Sequence, residues 1–189
     1  MSDPPVKRQA GPLPATLLNT PRISKKNQMI VPDKIKTFLT TTKDISFGYS
    51  EINFCNVDNL MDEQIGYSLD TNGKSLTTGN DGDWQKEWVV IASDSMGDPI
   101  IIDTSSAKLT VLSAAHGEGE WEAFVIADSL DNFKDILSLL TIASKDRTNP
   151  VDLEQNPLTS KEQKDILRSI KRQNPDTELS YWEAFFENV

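Results

Sequence analysis

Between Glu87 and Ala143 the apolar residues change their spacing once, and that change constrains the fold more than any other feature of the chain. Up to Ala127 they come in short runs rich in β-branched residues: EWVVIAS from Glu87, Ile100–Asp103, Leu109–Ser113 and Trp121–Ala127. These runs have the length and composition of strands. The tight Met96-Gly97-Asp98-Pro99 step makes the first two antiparallel neighbours, and the continuous run from Ile100 predicts a strand buried on both faces. Beyond Ala127 the period becomes helical. Leu130, Phe133, Ile136, Leu137 and Leu140 form one stripe, which predicts a helix over Ser129–Ala143. Asp128 and Ser129 supply its N-cap, and Asp131 suits its positive end. Strands followed by a covering helix imply an α+β fold: a twisted, mainly antiparallel sheet partly wrapped by helices.

The flanks extend this reading. In VPDKIKTFL, Pro32 suits a first helical turn, and Ile35, Phe38 and Leu39 share a face; ISFGYSEINF follows as a strand. Asp70-Thr71-Asn72-Gly73 predicts a turn of the primed hairpin type. TTGNDGDWQKE reads as a loop, and KDRTNPVDLEQNP as a polar linker. Thr159-Ser160-x-Glu162-Gln163 holds two overlapping capping boxes, opening a helix with Ile166, Leu167 and Ile170 inward and a stop near Asn174-Pro175. Ser180 to Glu183 is a further capping box before a last helix carrying Trp182, Phe185 and Phe186. That apolar set is too small to fold alone. The expected organisation is a flexible basic arm over residues 1–29, an α+β domain over 30–145, and over 146–189 a linker with C-terminal helices docked on the same domain. The arm rests on Pro4, Pro5, Pro12, Pro14 and Pro21 with scattered Lys and Arg; without interleaved aromatics it reads as a solubilising tail rather than a nucleic-acid arm.

Composition narrows the function classes. An apolar fraction of 37% supports a core, and no apolar run approaches the roughly 18 residues of a membrane helix. The opening MSDPPVKRQAGPLPATLL lacks a signal-peptide h-region. The single cysteine, Cys55, allows no intrachain disulfide, so a reducing, cytoplasmic compartment is expected. One Cys and one His, His116, exclude a zinc site built only from those residue types within one chain. Charge is uneven. Lys and Arg number eight against two acids over residues 1–43, four against eighteen over 44–135, and seven against nine over 136–189. The acidic middle repels nucleic acid and attracts basic proteins; solubility alone is the plainer explanation.

Trp84 and Trp88 flank one acidic loop, which holds Asp81 and Asp83; Trp121 follows another, HGEGEWE, which holds Glu118 and Glu120. Brought to one edge of the sheet, the loops make a surface of carboxylates and indole rings suited to Arg and Lys of a protein partner. The competing reading is that the tryptophans pack in the core. His116 with Asp103, Glu118 and Glu120 matches no established metal or acid–base spacing, and a strand-closing histidine is the simpler reading. Cys55, between Phe54 and Val57, reads as a small buried hydrophobe. GNDGDW lacks the oxygen ladder of a calcium loop, and no GxGxxG, Walker-type or GxSxG motif occurs. No catalytic residue, metal or cofactor is expected.

Gly66-Tyr67, Trp84 and Trp88, Gly97-Asp98-Pro99, Ile102-Asp103, Val111, His116 and Phe133 stand in an order that resembles the SUKH superfamily, which comprises fungal cell-wall synthesis regulators and bacterial toxin-immunity proteins. The resemblance covers Val31 to Ala143 and is strongest from Gln64 to Leu137. YWEAFF is similar to the C-terminal helix of a bacterial subgroup. The front departs from the pattern: the usual long first helix is reduced to IVPDKIKTFLTTTKD, and the Gly-Gly step of an NGG turn is absent. The resemblance implies an α+β fold without a catalytic centre. It also implies an immunity-type protein that captures a basic, nuclease-like toxin domain; the alternative is an intracellular scaffold with a housekeeping partner. The expected partner surface is Asp81, Asp83, Trp84, Trp88, Asp98, His116, Glu118, Glu120 and Trp121. No nucleic acid or membrane is expected to bind, and the oligomeric state is left open.

Overall fold

A computed structural model describes residues 31–117 and 119–187; the segment read as a basic arm and Glu118 lie outside them. Six strands form one antiparallel sheet in chain order: β1 Ile45–Phe47, β2 Ser50–Phe54, β3 Trp88–Asp94, β4 Pro99–Asp103, β5 Thr110–Ser113 and β6 Phe124–Ala127. The helices are α1 Asp33–Thr41, α2 Leu130–Ala143, α3 Pro150–Gln155, α4 Ser160–Gln173 and α5 Leu179–Glu187. The expected α+β class and antiparallel sheet are what the chain adopts.

Both faces of the sheet are buried, by different means. In β4 Ile100 and Ile102 face one side and Ile101 the other, and all three are fully buried. The first face carries the larger core. There Ile52, Val89, Ile91, Val111 and Ile126 meet Ile35 and Phe38 of α1, Phe133, Ile136 and Leu140 of α2, Ile170 of α4, and Trp182, Phe185 and Phe186 of α5. Each such side chain contributes about 1.5–3 kcal/mol by leaving water. Among the described residues no α-helix covers the second face; it is covered by the chain between β2 and β3 and by the loop between β5 and β6.

The C-terminal helices also close an edge of the sheet. The Val125 carbonyl accepts from the Glu178 amide at 2.6 Å and from Thr177 Oγ1 at 3.2 Å. The buried Trp182 indole donates to the Ile126 carbonyl at 2.9 Å, and Asn174 Oδ1 accepts from the Asp128 amide at 3.0 Å. An open strand edge is a template for unwanted pairing, and this one is covered.

A second edge is closed by a single side chain. The pairing of β2 with β3 ends at Phe54 opposite Ala92, followed by one bond from the Cys55 amide to the Ile91 carbonyl at 2.8 Å. Val90 is then left without a strand neighbour on that side. Gln64, fully buried in a short 3-10 turn (Asp62–Gln64), takes its place. Its Oε1 accepts from the Val90 amide at 2.9 Å, while its Nε2 donates to the Val90 and Leu60 carbonyls at 2.9 Å each. The amide side chain reproduces a strand's donor–acceptor pair.

Several local expectations need correction. ISFGYSEINF is a hairpin rather than one strand: Gly48 at φ +62° reverses the chain, and Phe47 pairs with Ser50. Glycine in the first turn position is what a type II′ hairpin requires. Asp70–Gly73 does turn, flanked by a single antiparallel bridge, Leu69 opposite Ser75, rather than by two strands; Asp70 Oδ1 accepts from the Asn72 and Lys74 amides at 2.8 Å each and closes a local Asx turn. The linker contains α3, capped by Asn149, whose Oδ1 accepts from the Asp152 amide at 3.0 Å. The capping box at Thr159 and Glu162 forms, whereas the one at Ser180 does not. There α5 begins at Leu179, just after Glu178 is pinned to Val125, so Ser180 lies inside the helix and bonds Glu178 Oε1 at 3.1 Å. The last strand starts at Phe124, leaving Trp121 in the preceding loop.

Two predictions follow from this packing. Trp182→Ala removes a fully buried ring and orphans the Ile126 carbonyl, so it is expected to cost about 3–5 kcal/mol; denaturant unfolding with an unchanged midpoint would contradict the docking. The second concerns Asp94, whose Oδ1 accepts from the Met96 and Asp98 amides at 2.9 and 3.0 Å. Burial raises its pKa above the usual carboxylate value, opposed by those bonds, with the Asp98 charge adding to the rise. The Tyr181 hydroxyl is buried beside Asp94, and burial, then the Asp94 charge, holds that phenol well above its ordinary value. A raised carboxyl pKa means the folded state binds the proton more tightly, so stability rises as pH falls from neutrality through the folded pKa towards the unfolded value. Asp94→Asn keeps the acceptor and removes the charge. It is expected to unfold at higher denaturant than the wild type at pH 7, with the gap narrowing towards pH 4; a gap constant with pH would contradict this.

Candidate functional site

The chain from Leu60 to Glu87 crosses the second face and lays an aromatic cluster on it. Val90, Ile101, Leu112 and Ala114 form the floor. Trp84 is the hub. Its ring centroid lies 5.0 Å from Tyr67, 5.5 Å from Trp88 and 5.1 Å from Trp121, and Tyr67 is 5.6 Å from Trp121. The two tryptophan pairs meet edge to face, each worth about 0.5–1.5 kcal/mol beyond area burial. Trp84 is only 2% exposed, and its Nε1 donates to the Trp88 carbonyl at 3.2 Å. Trp84 thus follows the core-packing reading and is buried bedding for the surface. Trp88 and Trp121 are half-buried.

The two acidic loops touch. The Trp121 amide donates to the Gly82 carbonyl at 2.7 Å. Gly82 sits at φ +81°, and a Cβ there would come within 3.0 Å of Glu120 Oε2 and 3.1 Å of Glu120 Cβ. Glycine is needed at this contact both for its backbone conformation and for the space. Asp81 and Glu120 are exposed beside this junction. Asp83 is held more tightly: its Oδ2 accepts from the Thr78 hydroxyl and, at 3.2 Å, from Asn80 Nδ2, while its carbonyl accepts from Gln85 Nε2 at 2.7 Å. Asp81, Asp83, Glu120 and Trp121 thus belong to one patch over the aromatic bed. Glu118 lies outside the described residues.

Asp98 and His116 form a pair of their own. Asp98 Oδ1 lies 2.6 Å from His116 Nδ1 and accepts from the His116 amide at 2.9 Å. An ionised carboxylate only accepts, so Nδ1 carries the proton and Nε2 is left towards solvent. Gly97 lies beneath the ring; a Cβ there would be 3.7 Å from His116 Cε1. The pair fastens the β5–β6 loop to the β3–β4 turn.

Burial, then the Glu63 charge, pushes the Cys55 thiol up to about 12, so it holds its proton at neutral pH and is no nucleophile. Among the described residues no three His, Cys, Asp or Glu side chains converge as a metal site, and no helix is long and apolar enough to cross a membrane. Two residues were not singled out for the site from the sequence: Gln64, which holds the crossing chain to β3, and Tyr67, which joins the aromatic cluster. An isolated Gln carries no sequence signal for such a role; Tyr67 follows a glycine at φ +92°, the one local sign of a fixed turn.

The model of the SMI1 / KNR4 family (SUKH-1) matches residues 14–136, from within the segment read as an arm to within α2. No curated protein and no solved structure matches the chain.

Proposed function

The chain belongs to the SMI1 / KNR4 family (SUKH-1), and from that premise we propose that it is a non-catalytic, cytoplasmic protein-binding module of the immunity type, one that captures a basic toxin domain through its acidic face. The observation that supports this most is the contact between the two acidic loops at Gly82, Glu120 and Trp121. Carboxylates gathered over a packed aromatic bed give a partner's Arg and Lys a preorganised surface, which lowers the cost of ordering on binding. Asp81, Asp83 and Glu120 steer the approach, Trp88 and Trp121 offer the half-buried ring edges, and the Asp98–His116 pair holds the loop that carries Glu120. The alternative, a regulatory scaffold with a housekeeping partner, uses the same surface; a toxin gene adjoining the coding gene favours capture.

The test is kinetic. The partner is recovered by tagged co-purification and identified, and association is followed for the wild type and for Asp81→Asn/Asp83→Asn/Glu120→Gln. The triple variant is expected to associate several-fold more slowly at low salt. The difference should fade at physiological salt, where screening acts over about 8 Å, and dissociation should change little. Equal association rates at low salt, in a variant that unfolds at the wild-type midpoint, would reduce the acidic face to a solvated surface.

A further inference from the structure

Beside the aromatic bed, on the same second face, the molecule holds an open cavity of about 380 Å³. Asn53 and Cys55 of the β2 end, Ser93 and Gly97 at the β3 end, and Glu63 and Tyr67 line it. Its outer wall is the turn that Gln64 fixes to Val90, so the wall is anchored to the sheet. Tyr67 is shared: its ring packs on Trp84 and Trp121, and it also lines the cavity.

The lining has acceptors and no cation. Among the described residues no Lys or Arg lines the cavity. Glu63 is exposed and makes no hydrogen bond or ion pair with any described residue. Asn53 directs its Nδ2 to Glu51 Oε2 at 3.4 Å, which leaves its oxygen unused. Burial, then Cys55, Asp98 and Glu63, hold the Tyr67 phenol above its ordinary value, so it stays neutral at pH 7.

We propose that this cavity receives an arginine side chain of the captured partner, its guanidinium lying on the Tyr67 ring and bonded to Glu63. This rests on the proposed binding of a basic protein and names the anchor within it. Arginine fits better than lysine because its planar head stacks on an aromatic ring and presents five donors to acceptors spread around a wall, where an ammonium is a compact point charge.

The cavity can be tested without the partner. N-acetyl-arginine methylamide is titrated into the ¹⁵N-labelled full chain, with the citrulline analogue, of the same shape but uncharged, as control. Saturable shifts are expected at the amides of Asn53, Glu63, Tyr67, Ser93 and Gly97 with the arginine compound and not with citrulline. Glu63→Gln, at an exposed position where the fold is not at risk, should weaken the response several-fold. No saturable shift at these amides, or an equal response to citrulline, overturns the proposal. The Asp81→Asn/Asp83→Asn/Glu120→Gln variant separates the two readings. Its cavity should still titrate with the arginine compound, so a silent cavity beside slowed partner association removes the anchor alone, and a titrating cavity beside unchanged association removes the acidic-face reading alone.

Discussion

The second face of this sheet depends on one amide side chain. Where β2 turns away, the Val90 amide would be buried with no partner, at a cost of about 1–3 kcal/mol, and its carbonyl would keep only the long bond from the Cys55 thiol at 3.9 Å. Gln64 satisfies both and also holds the Leu60 carbonyl. Because Gln64 belongs to the chain that crosses the face, the bonds that complete β3 also fix that crossing chain in place. Tyr67 and Trp84 lie farther along it, and the Gly82 carbonyl that holds Trp121 farther still.

The sheet is therefore finished in two ways. Its first face and its β6 edge are sealed by helices, with Trp182 serving both as core and as donor to the edge. Its second face is sealed by irregular chain, which places glycines and carboxylates outside a layer of rings. The arrangement divides the labour: the helical side supplies most of the apolar burial, and the other side carries the charged loops. The acidic loops lie on that second side, and the Glu63–Tyr67 cavity opens on it as well.

The regular half of the fold was legible and the irregular half was not. Ile100–Asp103, the stripe from Leu130 to Leu140 and the Thr159–Glu162 capping box are local periodic signals, and the structure follows each. The Gly48 hairpin was hidden because apolar residues continue through it, and α3 because Asn149 and Pro150 resemble linker residues until the cap bond to Asp152 is seen. In the site, the meeting of the acidic loops was inferred as a possibility of the topology. The burial of Trp84 could not be read, because its spacing to Trp88 fits a surface and a core equally. Gln64 acts on a residue 26 positions away, and only the tertiary fold reveals such a bond.

Hydrogen exchange on Gln64→Leu tests the central dependence most directly. If the Gln64 bonds hold the acidic loops in place, the Trp84 indole N–H and the Trp121 amide lose protection together with the Val90 amide, while the amides of α2 on the first face keep theirs. Faster exchange at Val90 alone, with Trp84 and Trp121 protected as in the wild type, would show that the second face is held without Gln64 and would contradict this account.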